Sequence, residues 1–341
     1  MKARLLAVAA GLLGLGLAIW LILFEGVSGI LGVLEASGWV ILWLIPLHIV
    51  PVALDTGGWQ ALLRPFDRQR HATFPFLSWV AGVREAVDRL LPVANVGGQI
   101  IGIRLLLLRP LSVGAAATSV LVDVLLNIVT RYLFTALGLV LLIALVHDSH
   151  TINVIIAGLV VTLPMPIALY FLLRNGRLFD RVKHAVLRLL GSDHRIAVTI
   201  ADSAAELDDD LATLLRMHKP LIKALAWQFA AMVFSGVETW VALRLLGSPV
   251  SLGAALALES LASVVRDVAF FVPGAIGVQE ASFVGFGALL GLPADVMVAL
   301  SLVKRLRDIG FGIPLLLSWQ GVETRRLRAE RHPHATDTTQ T

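Results

Sequence analysis

Apolar residues in this chain run in long unbroken blocks, not in the one-faced stripes of a soluble helix or the alternation of a half-buried strand. A helix needs about 20 consecutive apolar residues to cross a bilayer core of about 30 Å. Six blocks reach that length: 5–24, 39–63, 113–146, 152–173, 221–246 and 295–319. Two further apolar regions are interrupted. The stretch 74–108 breaks at Pro92 and again at Gly97 and Gly98, and the stretch 252–290 breaks at Pro273, Gly274 and Gly277. Their halves are generally short for a full span, and broken helices inside a bilayer survive only where protein or a cavity covers the loose backbone. The pattern predicts an all-α polytopic membrane protein with about six full spans plus two re-entrant broken-helix hairpins.

Charge in the loops orients this layout. With Lys2 and Arg4 on the cytoplasmic side, two spans bring the chain back inside at Arg64, Arg68 and Arg70. A hairpin returns to the same side, and the next span exits at 147–151, which holds no Lys or Arg. The chain returns at Arg174, Arg177, Arg181, Lys183 and Arg188, exits near Arg244, and returns at Arg325, Arg326, Arg328 and Arg331. This is the positive-inside distribution, with both termini cytoplasmic. Two short spans in place of either hairpin give the same parity, so sidedness is better determined than hairpin depth. The start, with a basic pair before an apolar run too long for a signal peptide, reads as a first span.

The chain also repeats itself. Span 39–63, broken helix and span 113–146 form one unit; span 221–246, broken helix and span 295–319 form another. The breaks align, LLPVANVGGQ beside FFVPGAIGVQE, and Gln99 and Glu280 each stand seven residues after the proline. A single linking span, 152–173, inverts the second unit relative to the first. Inverted repeats with discontinuous helices characterise many secondary transporters, whose sites lie near the midplane at the breaks. The expected organisation is one integral membrane domain over 1–330, made of repeat unit 39–146, linking span 152–173, a cytoplasmic amphipathic segment 174–219 and repeat unit 221–320. A disordered tail, 331–341, follows. In the cytoplasmic segment Ile200, Ala204, Leu207, Leu211, Leu214 and Leu215 form a helical stripe that packs on the bundle or at its interface.

Composition agrees and removes other classes. Of 341 residues, 57% are hydrophobic and 15% charged, against about 25% charged in soluble chains. Soluble enzymes and nucleic-acid binders are excluded on that ground. The chain has no cysteine, so thiolate nucleophiles, Cys-ligated zinc and iron–sulfur clusters are excluded. The net charge of +4 belongs to membrane topology, because the basic residues cluster in short loops beside apolar blocks. There is no G-x-S-x-G, no H-E-x-x-H and no P-loop. The acidic run Asp208–Asp209–Asp210 reads as a solvated face. No catalytic residue, metal or cofactor is expected.

What remains is a set of charges in the apolar regions. A charge at a helix centre costs about 2.5–3.5 kcal/mol even on the lenient insertion scale. These residues therefore pair, snorkel or line a polar cavity. Arg84 with Asp88, Glu85 with Arg89, and Lys304 with Asp308 have the i,i+4 spacing of helical ion pairs. His48 lies within a span, either as a buried hydrogen-bonded ring or as a proton relay. Glu280, just past a Pro/Gly break, is the strongest candidate for substrate contact, with Arg266 and Arg305 as nearby cations. The candidate cavity comprises Glu280, Arg266, Arg305, Arg89, Glu85, Gln99, Glu259 and Lys304. It is shaped by the breaks at Pro92, Gly97, Gly98, Pro273, Gly274 and Gly277.

The segments REAVDRLLPVANVGGQIIGIRLL and LESLASVVRDVAFFVPGAIGVQEASFVGFGALLGLPADVMVALSLVKRLRDIGFGIP resemble the flippase-type transmembrane region of lysylphosphatidylglycerol synthases. Within that superfamily the chain is most similar to the hopanoid-associated HpnL-type membrane proteins. The resemblance spans about residues 5–325 and is strongest over 84–108 and 259–320. The family's first broken helix usually carries an acidic residue where this chain has Gln99. The resemblance implies lipid handling without aminoacyl transfer: movement of hopanoids toward the outer membrane from the bacterial inner membrane. The implied partner is a membrane lipid, hopanoid or phospholipid. Hopanoid-biosynthesis or export proteins are further candidates, a homo-oligomer is compatible, and no nucleic acid is expected. The competing expectation is an intramembrane enzyme, or an accessory subunit of hopanoid or polar-lipid biosynthesis.

Overall fold

The computed structural model describes residues 38–91, 97–145, 209–268 and 278–331. The expected spans 5–24 and 152–173, most of the cytoplasmic segment, the breaks Pro92, Pro273, Gly274 and Gly277, and the tail beyond Arg331 lie outside them. Among the described residues the protein is all helical: α1 (Trp39–Leu63), α2 (Phe74–Leu90), α3 (Gly97–Leu106), α4 (Val113–Leu145), α5 (His218–Leu245), α6 (Leu252–Val268), α7 (Val278–Leu289) and α8 (Ala294–Arg331). A short helix over 209–216 precedes α5. Helices α1, α4 and α5 are long and apolar enough to cross a membrane. Helix α8 spans 38 residues and runs well past 319, where its apolar block ends.

Local sequence accounts for the irregularities. Helix α1 opens with a 3-10 turn, Trp39–Trp43, whose two tryptophans are largely exposed. Exposed Trp at a helix end suits the amphipathic membrane interface. Further along, Pro51 has no N–H to donate to the carbonyl four residues back, and the helix is interrupted at His48. Helix α2 begins with Pro75 in its first turn, where the missing donor costs nothing. Gly98 lets α3 fold back on α2: a Cβ there would stand 2.5 Å from the Arg84 carbonyl oxygen.

Packing follows one scheme twice. Helix α1 packs along α5, α4 along α6, and α8 along α2. Each of these pairings is antiparallel. His48 meets Glu238 while Gly58 meets Ala224; Gly138 meets Ser260 while Gly253 meets Leu141; Gly82 meets Leu315 while Leu90 meets Gly312. Helices α2 and α3 pack as a hairpin, as do α6 and α7, and α2 and α6 both have 17 residues. One apolar core forms around the first hairpin, with Trp59, Leu77, Val83, Leu105 and Leu106 buried. A second forms around the other, with Leu243, Leu258, Phe283, Met297 and Leu300. Leu211, Leu214 and Leu215 of the short helix bury against Leu62, Val122 and Leu125, so this part of the expected stripe packs on the bundle.

Glycine sets several of these crossings. A Cβ on Gly138 would overlap the Ser260 side chain where α4 meets α6. In lipid, where apolar burial does not drive association, such close backbone approach supplies the packing. Replacing Gly138 with Leu should lower stability by about 1–3 kcal/mol through overpacking. Gly285→Ala, where no atom lies within 4 Å of the added methyl, should be neutral or stabilising by about 0.5–1 kcal/mol through helix propensity. Thermal unfolding of the detergent-solubilised protein measures both.

Candidate functional site

Twenty-two polar or charged side chains are buried among the described residues. The ionic ones gather into clusters that tie specific helices together. The central cluster is a closed ring. His48 of α1 faces two carboxylates, Nδ1 at 3.1 Å from Glu238 and Nε2 at 3.1 Å from Glu85. Glu85 pairs with Arg89 one turn along α2 at 3.3 Å, and Arg89 pairs with Asp308 of α8 at 3.6 Å. Arg307 donates to Asp308 at 2.6 Å and to Glu238 of α5 at 2.7 Å, which closes the circuit. Ionised carboxylates only accept, so both imidazole nitrogens are donors. With His48 doubly protonated, three cations alternate with three anions and the ring is neutral. Its members come from α1, α2, α5 and α8, so it spans both packing units. The His48 and Phe311 rings also meet in a T-shaped contact, with their centroids 5.0 Å apart.

Two flanking clusters join the arms of the hairpins to the long helices. On the first side Arg84 of α2 pairs with the fully buried Asp123 of α4 at 2.9 Å, and its guanidinium lies 4.5 Å over Trp59. Gln228 of α5 donates to the same carboxylate at 2.9 Å, and Thr130 donates to Gln228. On the second side Lys304 of α8 pairs with Glu259 of α6 at 2.7 Å, and Thr239 of α5 donates to Glu259 at 2.7 Å. Asp123 and Lys304 each stand ten residues after the first residue of their helix, 113 to 123 and 294 to 304. The same crossing is closed by salt bridges of opposite polarity. Helix α5 enters all three clusters, through Gln228, Glu238 and Thr239.

The two bends differ. In the first, Asp88 accepts from the Gly98 backbone N–H at 2.8 Å and from the Gln99 amide at 3.4 Å, while the Gln99 carbonyl accepts from Arg84. An amide fits between a cation and a carboxylate because it both accepts and donates; a carboxylate at 99 would face Asp88 with no donor. In the second, Glu280 points to α8. Its Oε1 accepts from Arg305 through Nε (2.9 Å) and Nη2 (2.6 Å) and from Ser301 (3.0 Å). Its Oε2 is buried with no partner among the described residues, as is the amide nitrogen of Gln279. Arg266 acts electrostatically on Glu259.

Of the three intrahelical pairs expected from spacing, the structure forms Glu85–Arg89. Arg84 turns instead to Asp123, and Lys304 to Glu259; Asp308 is held by Arg307 and Arg89. An uncompensated charge left buried costs more than an intrahelical pair at the surface yields, so interhelical partners prevail. The candidate residues therefore fall into separate groups: Glu85 and Arg89 in the ring, Gln99 in the first bend, Glu259 and Lys304 in the second flank, and Glu280 and Arg305 at the second bend. Spacing alone gives the ring member Asp308 the wrong partner, and misses Glu238 and Arg307 in the ring and Gln228 and Asp123 beside it. The available signal was the polar residue itself, inside an apolar helix. Among the described residues no group of His, Asp and Glu is arranged to hold a metal ion.

The family described as the lysylphosphatidylglycerol synthase TM region matches residues 7–315, and the chain belongs to that family. It is a membrane protein of a lipid-related family. No curated protein and no solved structure matched the chain.

The flanking pair gives a direct energetic test. Glu259→Leu or Lys304→Met leaves its partner buried and unpaired, and each should cost about 3–5 kcal/mol. The double variant should recover most of that loss, because neither charge is then stranded. Thermal or denaturant unfolding of the three solubilised variants measures the coupling.

Proposed function

We propose that this protein is a flippase-type lipid transporter of the bacterial inner membrane, moving hopanoids toward the outer membrane and doing no covalent chemistry. Both termini are cytoplasmic in this reading, and the two helix sets act as inverted units. The antiparallel pairing of α1 with α5, α4 with α6 and α2 with α8 supports the inversion. Transport proceeds by rocking one unit against the other around the ion pairs at their interface. Those pairs are the contacts that must exchange when the units move, since the ring includes side chains from each.

The observation that carries the reading is the second bend. Glu280 Oε2 and Gln279 Nε2 are a buried acceptor and a buried donor on consecutive residues, both without partners among the described residues. An unsatisfied buried polar group costs about 1–3 kcal/mol, so a site that keeps two is built to be satisfied by something else. A hydroxyl can donate to Glu280 Oε2 or accept from Gln279 Nε2, and a polar lipid head supplies hydroxyls. The lipid's apolar body stays among apolar side chains and hydrocarbon. Hopanoid-biosynthesis or export proteins would be the partners that load or receive it.

The test is lipid movement in vesicles reconstituted with the full chain and a labelled hopanoid. Glu280→Gln keeps the side chain's shape and an acceptor for Arg305 but removes its charge. It should slow transfer by about tenfold, a change of about 1.4 kcal/mol. Transfer at the unaltered rate would overturn the assignment of Glu280. In cells lacking the protein, total hopanoid should be normal and the outer membrane depleted; a new hopanoid species would instead indicate chemistry.

A further inference from the structure

A groove outside the ionic clusters runs along the junction of α1 and α5, with a volume of about 460 Å³. Its floor on α1 is Ile49, Ala53, Gly57 and Ala61, spaced four residues apart so that they form one stripe. The small residues Ala53, Gly57 and Ala61 keep that stripe low, and the Trp227 ring of α5 packs onto it at Gly57, where an added Cβ would stand 3.2 Å away, so the open groove runs beside Trp227. From residue 49 to residue 64 the stripe is about 22 Å long, more than the roughly 15 Å of one leaflet's hydrocarbon.

Charge is confined to one end. Arg64 closes the slot at the C-terminal end of α1, and Lys223, near the start of α5, stands on the opposite wall. Both cations line the groove at this end, with Lys223 about one helical turn from the level of Arg64 in the antiparallel register of α1 and α5. Both are exposed, and neither makes an ion pair among the described residues. Every buried cation discussed above is matched by a carboxylate; these two are not. Gln60, one turn before Arg64, adds an amide to the same end. Two cations above an apolar slot complement a phosphate head and an acyl chain.

We propose that this groove is a binding site for an anionic phospholipid, with the phosphate between Arg64 and Lys223 and one acyl chain along the slot toward Ile49. The site is separate from the Glu280 bend and does not depend on the transport reading. It lies where the two helix sets meet, so a bound lipid touches both.

The experiment is native mass spectrometry of the purified full-length protein from mixed micelles holding equal phosphatidylglycerol and phosphatidylcholine. A basic side chain near an anionic lipid surface contributes about 1 kcal/mol, or about fivefold. Two give phosphatidylglycerol a preference of about twenty-fivefold. Arg64→Gln with Lys223→Gln should abolish that preference. Arg68→Gln with Lys219→Gln removes the same charge from exposed positions outside the groove, and should keep it. Ala53→Phe fills the slot without altering charge, and should reduce retained phosphatidylglycerol as strongly as the charge variant. Unchanged thermal unfolding in the three variants confirms that folding is not being read. Equal loss in the two charge variants would reduce the effect to diffuse surface attraction, and no preference in the unaltered protein would reduce it to ordinary lipid contact; either result overturns the proposal.

Discussion

A charged side chain inside a bilayer has to find its opposite, and in this protein that requirement organises the helices. The ring of His48, Glu85, Arg89, Asp308, Arg307 and Glu238 draws from four helices and alternates in sign around its circuit. Remove one member and two neighbours lose a partner in a medium that cannot rehydrate them. Helix α5 is the common element. It supplies Gln228 to one flank, Glu238 to the ring and Thr239 to the other flank. Its apolar surface alone would not select a rotation about its axis in lipid, whereas these three polar side chains do.

The two flanks show geometry kept and chemistry exchanged. Arg84 with Asp123, and Glu259 with Lys304, close comparable crossings with opposite polarity. Either polarity satisfies the bilayer equally, so the repeat tolerates the swap. The consequence is an asymmetry in hydrogen bonding between the bends. The first closes on itself, with Asp88 and Gln99 satisfied by neighbours in the same hairpin and by Arg84. The second spends one oxygen of Glu280 on α8 and leaves the other without a partner among the described residues. One hairpin is a brace, and the other retains unspent hydrogen-bonding capacity. A transporter built from two inverted units needs a ligand contact that can be made and broken, and the second bend has the chemistry for it.

Much of this was legible in the chain. The end of α2 at Leu90 follows from proline and glycine inside an apolar run, because both residues disfavour a continuous helix. Glu280 stood out because a carboxylate beside such a break is costly without a role. The ion pairs were less legible. Spacing along one helix correctly gives Glu85 with Arg89, but it assigns Arg84 and Lys304 to neighbours they do not take. His48 was visible as a polar residue in a span, yet its partners lie 37 and 190 residues away.

The sequence by itself determined that the protein is helical and membrane-embedded, because hydrocarbon demands long apolar runs and every backbone group must bond within its own segment. It also determined which residues carry an energetic burden, since a charge among apolar neighbours is costly wherever it sits. Which charge answers which was decided only by the tertiary structure. Pairing across helices depends on crossing points and axial rotation, set by glycine contacts such as Gly138 on Ser260 and Gly58 on Ala224. Those are properties of two surfaces together, and no single helix's periodicity contains them.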